Sequence, residues 1–167
     1  MAVEIERKFL VSGSDWRRST AGHARIRQAY LPTEPGLSLR IRLKDDAHAT
    51  LTLKARDTEL RRQEFEYSIP VPDAEALMAL RRGSVVEKTR HTIPWQDLTW
   101  EIDVFSGENA GLIIAEIELR HEREHFAFPR WLGEDVTGQP QYYNHSLAER
   151  PFRSWDRRER SDGAARL

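Results

Sequence analysis

The sequence contains no cysteine among its 167 residues, which excludes disulfide bonds, thiolate metal ligands and a cysteine nucleophile. It also lacks any stretch that approaches the roughly 20 apolar residues of a membrane-spanning helix. The N-terminus opens directly on an alternating segment, without the apolar run and cleavage site of a signal peptide. These absences predict a soluble, cytoplasmic protein with no membrane partner.

Neither sign of charge is in excess, because the formal net charge is -1. The chain therefore has no overall basic field to recruit nucleic acid, and we expect no nucleic-acid partner. Charged residues still make up 32% of the chain, so their order along the sequence is informative. The length favours a single domain, which we expect over residues 1–151. Residues 152–167 are rich in Arg, Asp, Ser and Gly and predict a flexible tail.

The first predicted strand, at 3–11, sets a pattern that the rest of the chain repeats. Glu4, Glu6 and Lys8 stand two residues apart, so they share one face of an extended strand, while Ile5 and Phe9 point to the other face. Two neighbouring carboxylates repel each other unless a cation lies between them. A divalent metal, or Lys and Arg side chains from other strands, would relieve this repulsion.

Further strands are predicted at 24–31, 37–44, 49–54, 61–69, 85–93, 98–105 and 111–120, with a turn at 56–60, a helix at 73–82 and a last short helix capped by Asn144. Seven of the predicted strands carry charges of one sign at alternate positions. The acidic pairs are Glu4/Glu6, Glu64/Glu66, Glu101/Asp103 and Glu116/Glu118; the basic pairs are Arg25/Arg27, Arg40/Arg42 and Lys88/Arg90; Lys8 and Lys54 are single cations.

For any one of these strands, a solvated sheet face is the better explanation. The repetition favours a different interpretation, because like charges grouped on one strand are slightly destabilising. If the sheet closes into a barrel with the charged side inward, a charged ligand is needed to justify it. Acidic pairs suit Mg²⁺ or Mn²⁺ and basic pairs suit phosphoryl oxygens. A polyphosphate bound together with a metal ion matches both.

The opening Glu4-x-Glu6-x-Lys8 resembles the signature of the CYTH domain, also called the triphosphate tunnel metalloenzymes. The resemblance extends to about Ala148, through Arg40-x-Arg42, Lys54, Glu64-x-Glu66, Lys88-Thr89-Arg90, Glu101-x-Asp103, Glu116-x-Glu118 and Tyr142-Tyr143-Asn144. It implies an α+β fold, namely an eight-stranded antiparallel β-barrel that forms a tunnel, with helices packed outside. It also implies hydrolysis of a triphosphate with a divalent cation. The chain is most similar to short bacterial members that act on inorganic tripolyphosphate.

Phosphoryl transfer requires neutralised charge and a positioned water more than covalent catalysis, and this assigns a role to each predicted site residue. We expect the phosphates to be bound by Arg40, Arg42, Lys54, Lys88 and Arg90, and Mg²⁺ or Mn²⁺ to be bound by Glu4, Glu6, Glu116 and Glu118. Lys8 either contacts a phosphate or holds a neighbouring carboxylate. Glu64, Glu66 and Asp103 hold a second metal or orient the attacking water, and with Lys8 they are the predicted catalytic residues.

Several alternatives remain open at the level of sequence. The same tunnel could serve a thiamine or nucleoside triphosphatase or a class IV-type adenylyl cyclase, or it could bind polyphosphate or nucleotide without turnover. Tyr30, Tyr142 and Tyr143 could reach a tunnel mouth or pack in the core. The five tryptophans favour packing outside the barrel. We expect a monomer or a homodimer.

Overall fold

The structure is a computed structural model in which residues 5–56, 62–121, 123–156 and 158–160 are described. Within these ranges the strands are β1 (Ile5–Val11), β2 (Gly22–Leu31), β3 (Leu37–Lys44), β4 (His48–Arg56), β5 (Arg62–Ile69), β6 (Arg82–Trp95), β7 (Leu98–Ser106), β8 (Ile113–Leu119) and β9 (Leu132–Asp135). The α-helices are α1 (Val71–Ala79) and α2 (Asn144–Glu149). No helix in the described ranges is long and apolar enough to cross a membrane. The turn predicted at 56–60 falls, beyond Arg56, outside the described residues.

All these strands form one antiparallel sheet in the order β5-β4-β3-β2-β6-β7-β8-β1-β9. The predicted closed, eight-stranded barrel is therefore wrong, because the sheet of the described residues has nine strands and is open, with β5 and β9 at its edges. The reason is β9, which the sequence analysis missed. It pairs with β1 on the side opposite β8 and so occupies the edge that closure of eight strands would use.

The strand registers sort the side chains onto two faces, because residues directly opposite each other in an antiparallel pair point the same way. Lys8 lies opposite Glu116, Glu6 opposite Glu118, and Arg90 opposite Asp103. We call the face that carries these residues the inner face. The sheet curls around it, since one cleft is lined by side chains from strands as far apart as β5 and β8.

Helix α1 covers the outer face of β2, β3 and β4. Ala74 and Met78 of the helix are buried against Ala29, Ile41 and Leu43 of the sheet. The helix starts at residue 71, two residues before the predicted start, and a proline stands in its first turn, where a missing N–H costs no hydrogen bond. The helix therefore serves as a scaffold for the arginine-bearing strand β3.

A second outer cluster is built from aromatic side chains of β1, β7 and the loops beside them. Trp16, Trp100 and Trp131 are all buried there with Phe9. The rings of Trp100 and Trp131 meet edge to face with centroids 5.4 Å apart, which is a favourable aromatic geometry. These three tryptophans pack outside the charged face, as predicted, whereas Trp155 belongs to a different cluster.

A third apolar cluster closes one end of the inner face. Leu147 and Ala148 of α2 join Phe152 and Trp155, and all four are buried against the ends of β1, β6, β7 and β8. Asn109 holds this segment in place, because its Oδ1 accepts a hydrogen bond from the Phe152 N–H at 2.8 Å and its Nδ2 donates to the Leu147 carbonyl. The chain up to residue 155 therefore belongs to the core, which differs from the predicted flexible tail at 152–167. Residues 157 and 161–167 lie outside the described residues.

Candidate functional site

The inner face lines one open cleft of about 1720 Å³. Charged side chains reach it from β1 and from β3 to β8: Glu6, Lys8, Arg40, Arg42, Lys54, Glu64, Glu66, Arg90, Glu101, Glu116 and Glu118. Of the predicted site residues that the structure describes, Lys88 and Asp103 are the two that do not line the cleft. Glu4 lies outside the described residues. Most of the alternating charges of the sequence that the structure describes are thus brought together in one cleft.

Lys8 stands between two carboxylates. Its Nζ contacts Glu6 on the same strand and Glu116 on β8. Burial lowers the pKa of Lys8, but Glu116 and Glu6 outweigh burial and hold the pKa above its ordinary value. The ammonium group is therefore permanently charged at neutral pH. This contact favours the second of the two predicted roles, in which Lys8 holds neighbouring carboxylates.

The buried Glu116 carboxylate is the point where several charges of the inner face meet. It accepts hydrogen bonds from Lys8 and, at 2.8 Å, from Arg90 Nη2. Burial and the nearby Asp103 raise the pKa of Glu116. The three surrounding cations, Lys88, Lys8 and Arg90, outweigh both effects, so the pKa of this carboxyl lies below its ordinary value. Glu116 is therefore an anion in the folded protein.

Lys88 and Asp103 form an ion pair beneath the cleft, where both side chains are 0% exposed. Arg90 joins them with a two-pronged contact, because its Nε and Nη2 donate to the two oxygens of Asp103 at 2.7 Å each. Burial raises the pKa of Asp103, but Lys88 and Arg90 hold it well below its ordinary value. Asp103 thus orients the two cations, and Lys88, predicted to bind phosphate, lies beneath the cleft lining.

Asn144 connects this buried ion pair to helix α2. Its Oδ1 accepts a hydrogen bond from Lys88 Nζ at 3.2 Å. The sequence predicted Asn144 as the cap of the last helix, but the helix begins at Asn144 itself, and no side chain caps its N-terminus. The amide is used by Lys88 instead, which places α2 in contact with the charged network.

Arg40 and Arg42 occupy the part of the cleft formed by β2, β3 and β4. Arg42 donates through Nε and Nη2 to Gln28 Oε1, at 3.2 Å and 3.1 Å. Arg40 Nη2 donates to the Thr52 hydroxyl at 3.0 Å and lies 3.5 Å from a Glu66 oxygen. The side-chain partner of Arg42 is the neutral Gln28, so its positive charge is not cancelled there, whereas Arg40 is held by Thr52 and Glu66.

The β4–β5 edge supplies one more ion pair to the cleft. Lys54 Nζ lies 2.9 Å from a Glu64 oxygen, and the Thr52 hydroxyl donates to Glu66 at 2.8 Å. Glu64 and Glu66 are exposed. They line the same cleft as Arg40, and their strand β5 is at the other end of the strand order from β8 and β1.

Carboxylates face each other across strands on the β1–β8–β7 side. Glu6 lies opposite Glu118, and Glu101 lies opposite Glu116. Such like-charged pairs are destabilising without a cation between them, and carboxylate oxygens are the ligands that Mg²⁺ and Mn²⁺ prefer. The residues present therefore fit a divalent ion, although the described residues contain no ready-made group of three metal-ligating side chains.

One predicted charge pair lies away from the cleft. Arg25 and Arg27 point to the outer face, where Arg25 is paired with Asp46, and Arg27 is paired with Asp46 and with Glu75 of α1. The repeated pattern had included these arginines with the other pairs. Spacing shows that two residues share a face, but it does not show which face.

Two buried polar residues of the site were missed in the sequence. Gln28 and Thr52 are each 0% exposed, and they hold Arg42 and Arg40 respectively. A signal for Thr52 was present, because it alternates with Lys54 on β4 and shares its face. The sequence carries no comparable signal for Gln28, because it is the neutral residue next to the charged Arg25 and Arg27 and lies on the other face of β2.

Comparison with known proteins decides the family. The model of the CYTH domain matches residues 2–152. The chain belongs to the CYTH family. The membership predicted from the opening motif and the later charge pairs is thus confirmed.

Relatives of this CYTH chain match it over most of their length. It is 43% identical over 156 residues to the inorganic triphosphatase of Acetivibrio thermocellus, which covers 93% of this chain and 99% of the relative. It is 38% identical over 150 residues to the inorganic triphosphatase of Nitrosomonas europaea, which covers 87% and 97%. Among solved structures, the inorganic triphosphatase NE1496 superposes with a TM-score of 0.68 at 35% identity, over 89% of this chain and 96% of that one.

Proposed function

We propose that this protein hydrolyses inorganic tripolyphosphate in the cleft of the inner face, with a divalent cation. The observation that carries the proposal is the division of the cleft into two halves. One half presents Arg42 held by the neutral Gln28 and Arg40 held by Thr52 and Glu66, and the other presents facing carboxylates. A polyanion and a divalent cation together balance both halves. The two named relatives, both inorganic triphosphatases, support the same activity.

The arginine half binds the phosphates. Arg40, Arg42 and Lys54 line the cleft, and guanidinium groups match phosphate oxygens with paired N–H donors. Arg90 also lines the cleft but is held by three carboxylates, and Lys88 lies beneath it. In this proposal Lys88 and Asp103 support Arg90 from below, and Arg90 provides the positive field beside the phosphates.

The carboxylate half holds the cation. Glu6, Glu116 and Glu118 are the described residues that would bind it, and Glu4 is the fourth predicted ligand. A bound Mg²⁺ or Mn²⁺ would neutralise phosphate oxygens and favour departure of the leaving phosphate. Lys8 pairs with Glu6 and Glu116 and holds the two carboxylates in place. Glu118, for which the described residues provide no hydrogen bond or ion pair, is the carboxylate that is most free to take up a ligand.

Water must approach in line with the bond that breaks, and carboxylates at the cleft are suited to orient it. Glu64 and Glu66 retain this predicted role, because they are exposed at the cleft and lie on the same side as the arginines. Asp103 is reassigned in the proposal, since its oxygens are used by Lys88 and Arg90. It positions cations instead of water.

A substrate panel tests the proposal. Release of phosphate is measured with tripolyphosphate, ATP, thiamine triphosphate and pyrophosphate, each with Mg²⁺, Mn²⁺ or EDTA. Tripolyphosphate is expected to be hydrolysed fastest, with loss of activity in EDTA. Glu116→Ala is expected to abolish hydrolysis while the circular dichroism spectrum stays unchanged. Faster turnover of a nucleotide, formation of cyclic nucleotide with pyrophosphate, binding without turnover, or near-normal activity of Glu116→Ala would each refute it.

A further inference from the structure

The cations of the inner face differ in the charge of the group that holds them. Carboxylates hold most of them: Lys8 is paired with Glu6 and Glu116, Lys54 with Glu64, Lys88 with Asp103, and Arg90 with Asp103, Glu101 and Glu116. Arg42 is different, because the side-chain amide of Gln28 holds it. In the described part of the chain, no carboxylate lies within ion-pair distance of Arg42.

Both ends of the Gln28 amide are hydrogen-bonded. Gln28 lies directly opposite Arg42 in the β2–β3 pairing and is 0% exposed. Its Oε1 accepts both hydrogen bonds from Arg42, and its Nε2 donates to the Tyr30 hydroxyl at 3.0 Å. Because a guanidinium group only donates hydrogen bonds, Arg42 itself fixes which end of the amide faces it, and the Tyr30 hydroxyl accepts from the other end. The guanidinium plane is therefore held by two bonds to one oxygen, while Nη1 and one N–H of Nη2 remain for another acceptor.

Because the group that holds Arg42 is a neutral amide, it does not cancel the charge of the guanidinium. Burial and the neighbouring Arg40 and Arg90 lower the pKa of Arg42, which means that its positive charge is poorly compensated by the protein. A glutamate at position 28 would hold the guanidinium as well but would cancel its charge before any ligand arrived. An amide orients Arg42 and leaves the charge for an anion in the cleft.

We propose that Gln28 is a positioning residue that fixes Arg42 in the cleft while leaving its charge uncompensated, so that a polyphosphate supplies the missing negative charge. The proposal deepens the proposed function and rests on it for the choice of ligand. It assigns Gln28 a part in the strength of polyanion binding. It assigns no part in the chemical step, since Gln28 is buried behind Arg42.

The test compares two substitutions of similar volume. Gln28→Glu places a carboxylate where the amide oxygen lies, and Gln28→Met removes the hydrogen bonds without adding charge. Calorimetric titration with tripolyphosphate in EDTA measures binding without turnover, and steady-state assays with Mg²⁺ separate KM from kcat. Thermal unfolding of each variant reports on the fold. Arg42→Met is combined with Gln28→Glu to complete a double-mutant cycle.

Gln28→Glu is expected to weaken tripolyphosphate binding by about tenfold or more, because one charge-assisted contact is cancelled. KM should rise while kcat stays within about threefold. The unfolding midpoint should stay level or rise, since a new ion pair forms, and a purely structural role would not combine higher stability with weaker binding. Gln28→Met should weaken binding less, by about threefold, because the charge of Arg42 is retained. In the Arg42→Met background, Gln28→Glu should have little further effect.

Binding by Gln28→Glu within twofold of the wild type, or an equal loss in the Arg42→Met background, would overturn the role of Gln28. If Gln28→Glu does not fold, Gln28→Met decides, and an unchanged affinity in that variant overturns the proposal. A wild-type protein that binds tripolyphosphate without hydrolysing it would refute the proposed function alone. A wild-type protein that hydrolyses tripolyphosphate but tolerates Gln28→Glu would refute the role of Gln28 alone. A wild-type protein that neither binds tripolyphosphate in EDTA nor hydrolyses it with Mg²⁺ would refute both.

Discussion

Arg90 reaches the buried Asp103 with two hydrogen bonds of 2.7 Å while its own side chain lines the cleft. Through this contact the ion pair of Asp103 with Lys88, which has no exposed side-chain surface, determines where a cleft residue points. Asn144 extends the same network to α2. Hydrogen bonds and ion pairs therefore connect the cleft to the folded core of the sheet. Substitutions of Lys88 or Asp103 should affect both stability and activity.

The ion pair of Lys88 and Asp103 gives a prediction on stability. Asp103→Leu is expected to reduce the free energy of unfolding by about 3–5 kcal/mol, because it leaves Lys88 buried without its partner. Adding Lys88→Met should restore part of the loss, since the uncompensated ammonium is removed. Urea unfolding of both single variants and the double variant measures the coupling. Losses that simply add would contradict the prediction.

The same pair predicts how stability depends on pH. Burial raises the pKa of Asp103, but Lys88 and Arg90 outweigh burial, and the folded-state pKa lies below the unfolded value. Its contribution is therefore present above the unfolded pKa of about 3.9 and is lost as pH falls further toward the folded value. In EDTA, the wild type should lose stability below about pH 4 more steeply than Asp103→Asn. Parallel curves for the two proteins would show that Asp103 is not the group responsible.

The two faces of the sheet predict different effects for two arginines. Arg40→Ala should reduce kcat/KM for tripolyphosphate by about 10- to 100-fold, because a charge-assisted contact with phosphate is lost. Arg27→Ala is the matched control, since Arg27 lies on the outer face with Asp46 and Glu75. It should leave kcat/KM within about twofold, because partly exposed ion pairs contribute little. Equal losses in the two variants would mean that the cleft is not the site.

Gly83 marks the contact between β6 and α2. Its φ is +73°, and a Cβ at this position would lie 2.4 Å from the Ala148 carbonyl oxygen. Gly138 has a similar φ of +76° but open space around it. Gly138→Ala should cost only the backbone strain of about 1–2 kcal/mol, and Gly83→Ala should cost clearly more. Thermal and urea unfolding of the two variants measure the difference. Equal losses of unfolding free energy would show that α2 shifts away from an added Cβ at position 83 without a further cost.

The charge alternation of the sequence predicted the strands and most of the cleft, because side chains two apart in a strand must share a face. It could not predict, for every strand, whether the charged residues point to the inner or to the outer face of the sheet. On β2 the charged residues Arg25 and Arg27 point outward while the neutral Gln28 points inward, since the face is fixed by pairing with β3 and β6. Such long-range pairing leaves no trace in the local spacing.

The open edge of the sheet at β9 and the burial of residues 152–155 were also not predicted, for physical reasons. Strand β9 is only four residues long, Leu132–Asp135, and mostly exposed, so it has no alternation to recognise. Phe152 and Trp155 stand among charged and small residues without a helical or strand period. Their burial depends on partners far away in the chain, including Asn109 and Tyr142.

The most direct measurement is a crystal structure of the wild-type protein with Mn²⁺ and a methylene-bridged, hydrolysis-resistant tripolyphosphate analogue, recorded at a wavelength where manganese scatters anomalously. Phosphate oxygens should lie on Arg40 and Arg42, with the manganese peak beside Glu118 and Glu6. An analogue bound on the outer face near Arg25 and Arg27, or a manganese peak away from the carboxylates of β1 and β8, would show that the inner face is not where triphosphate and metal meet.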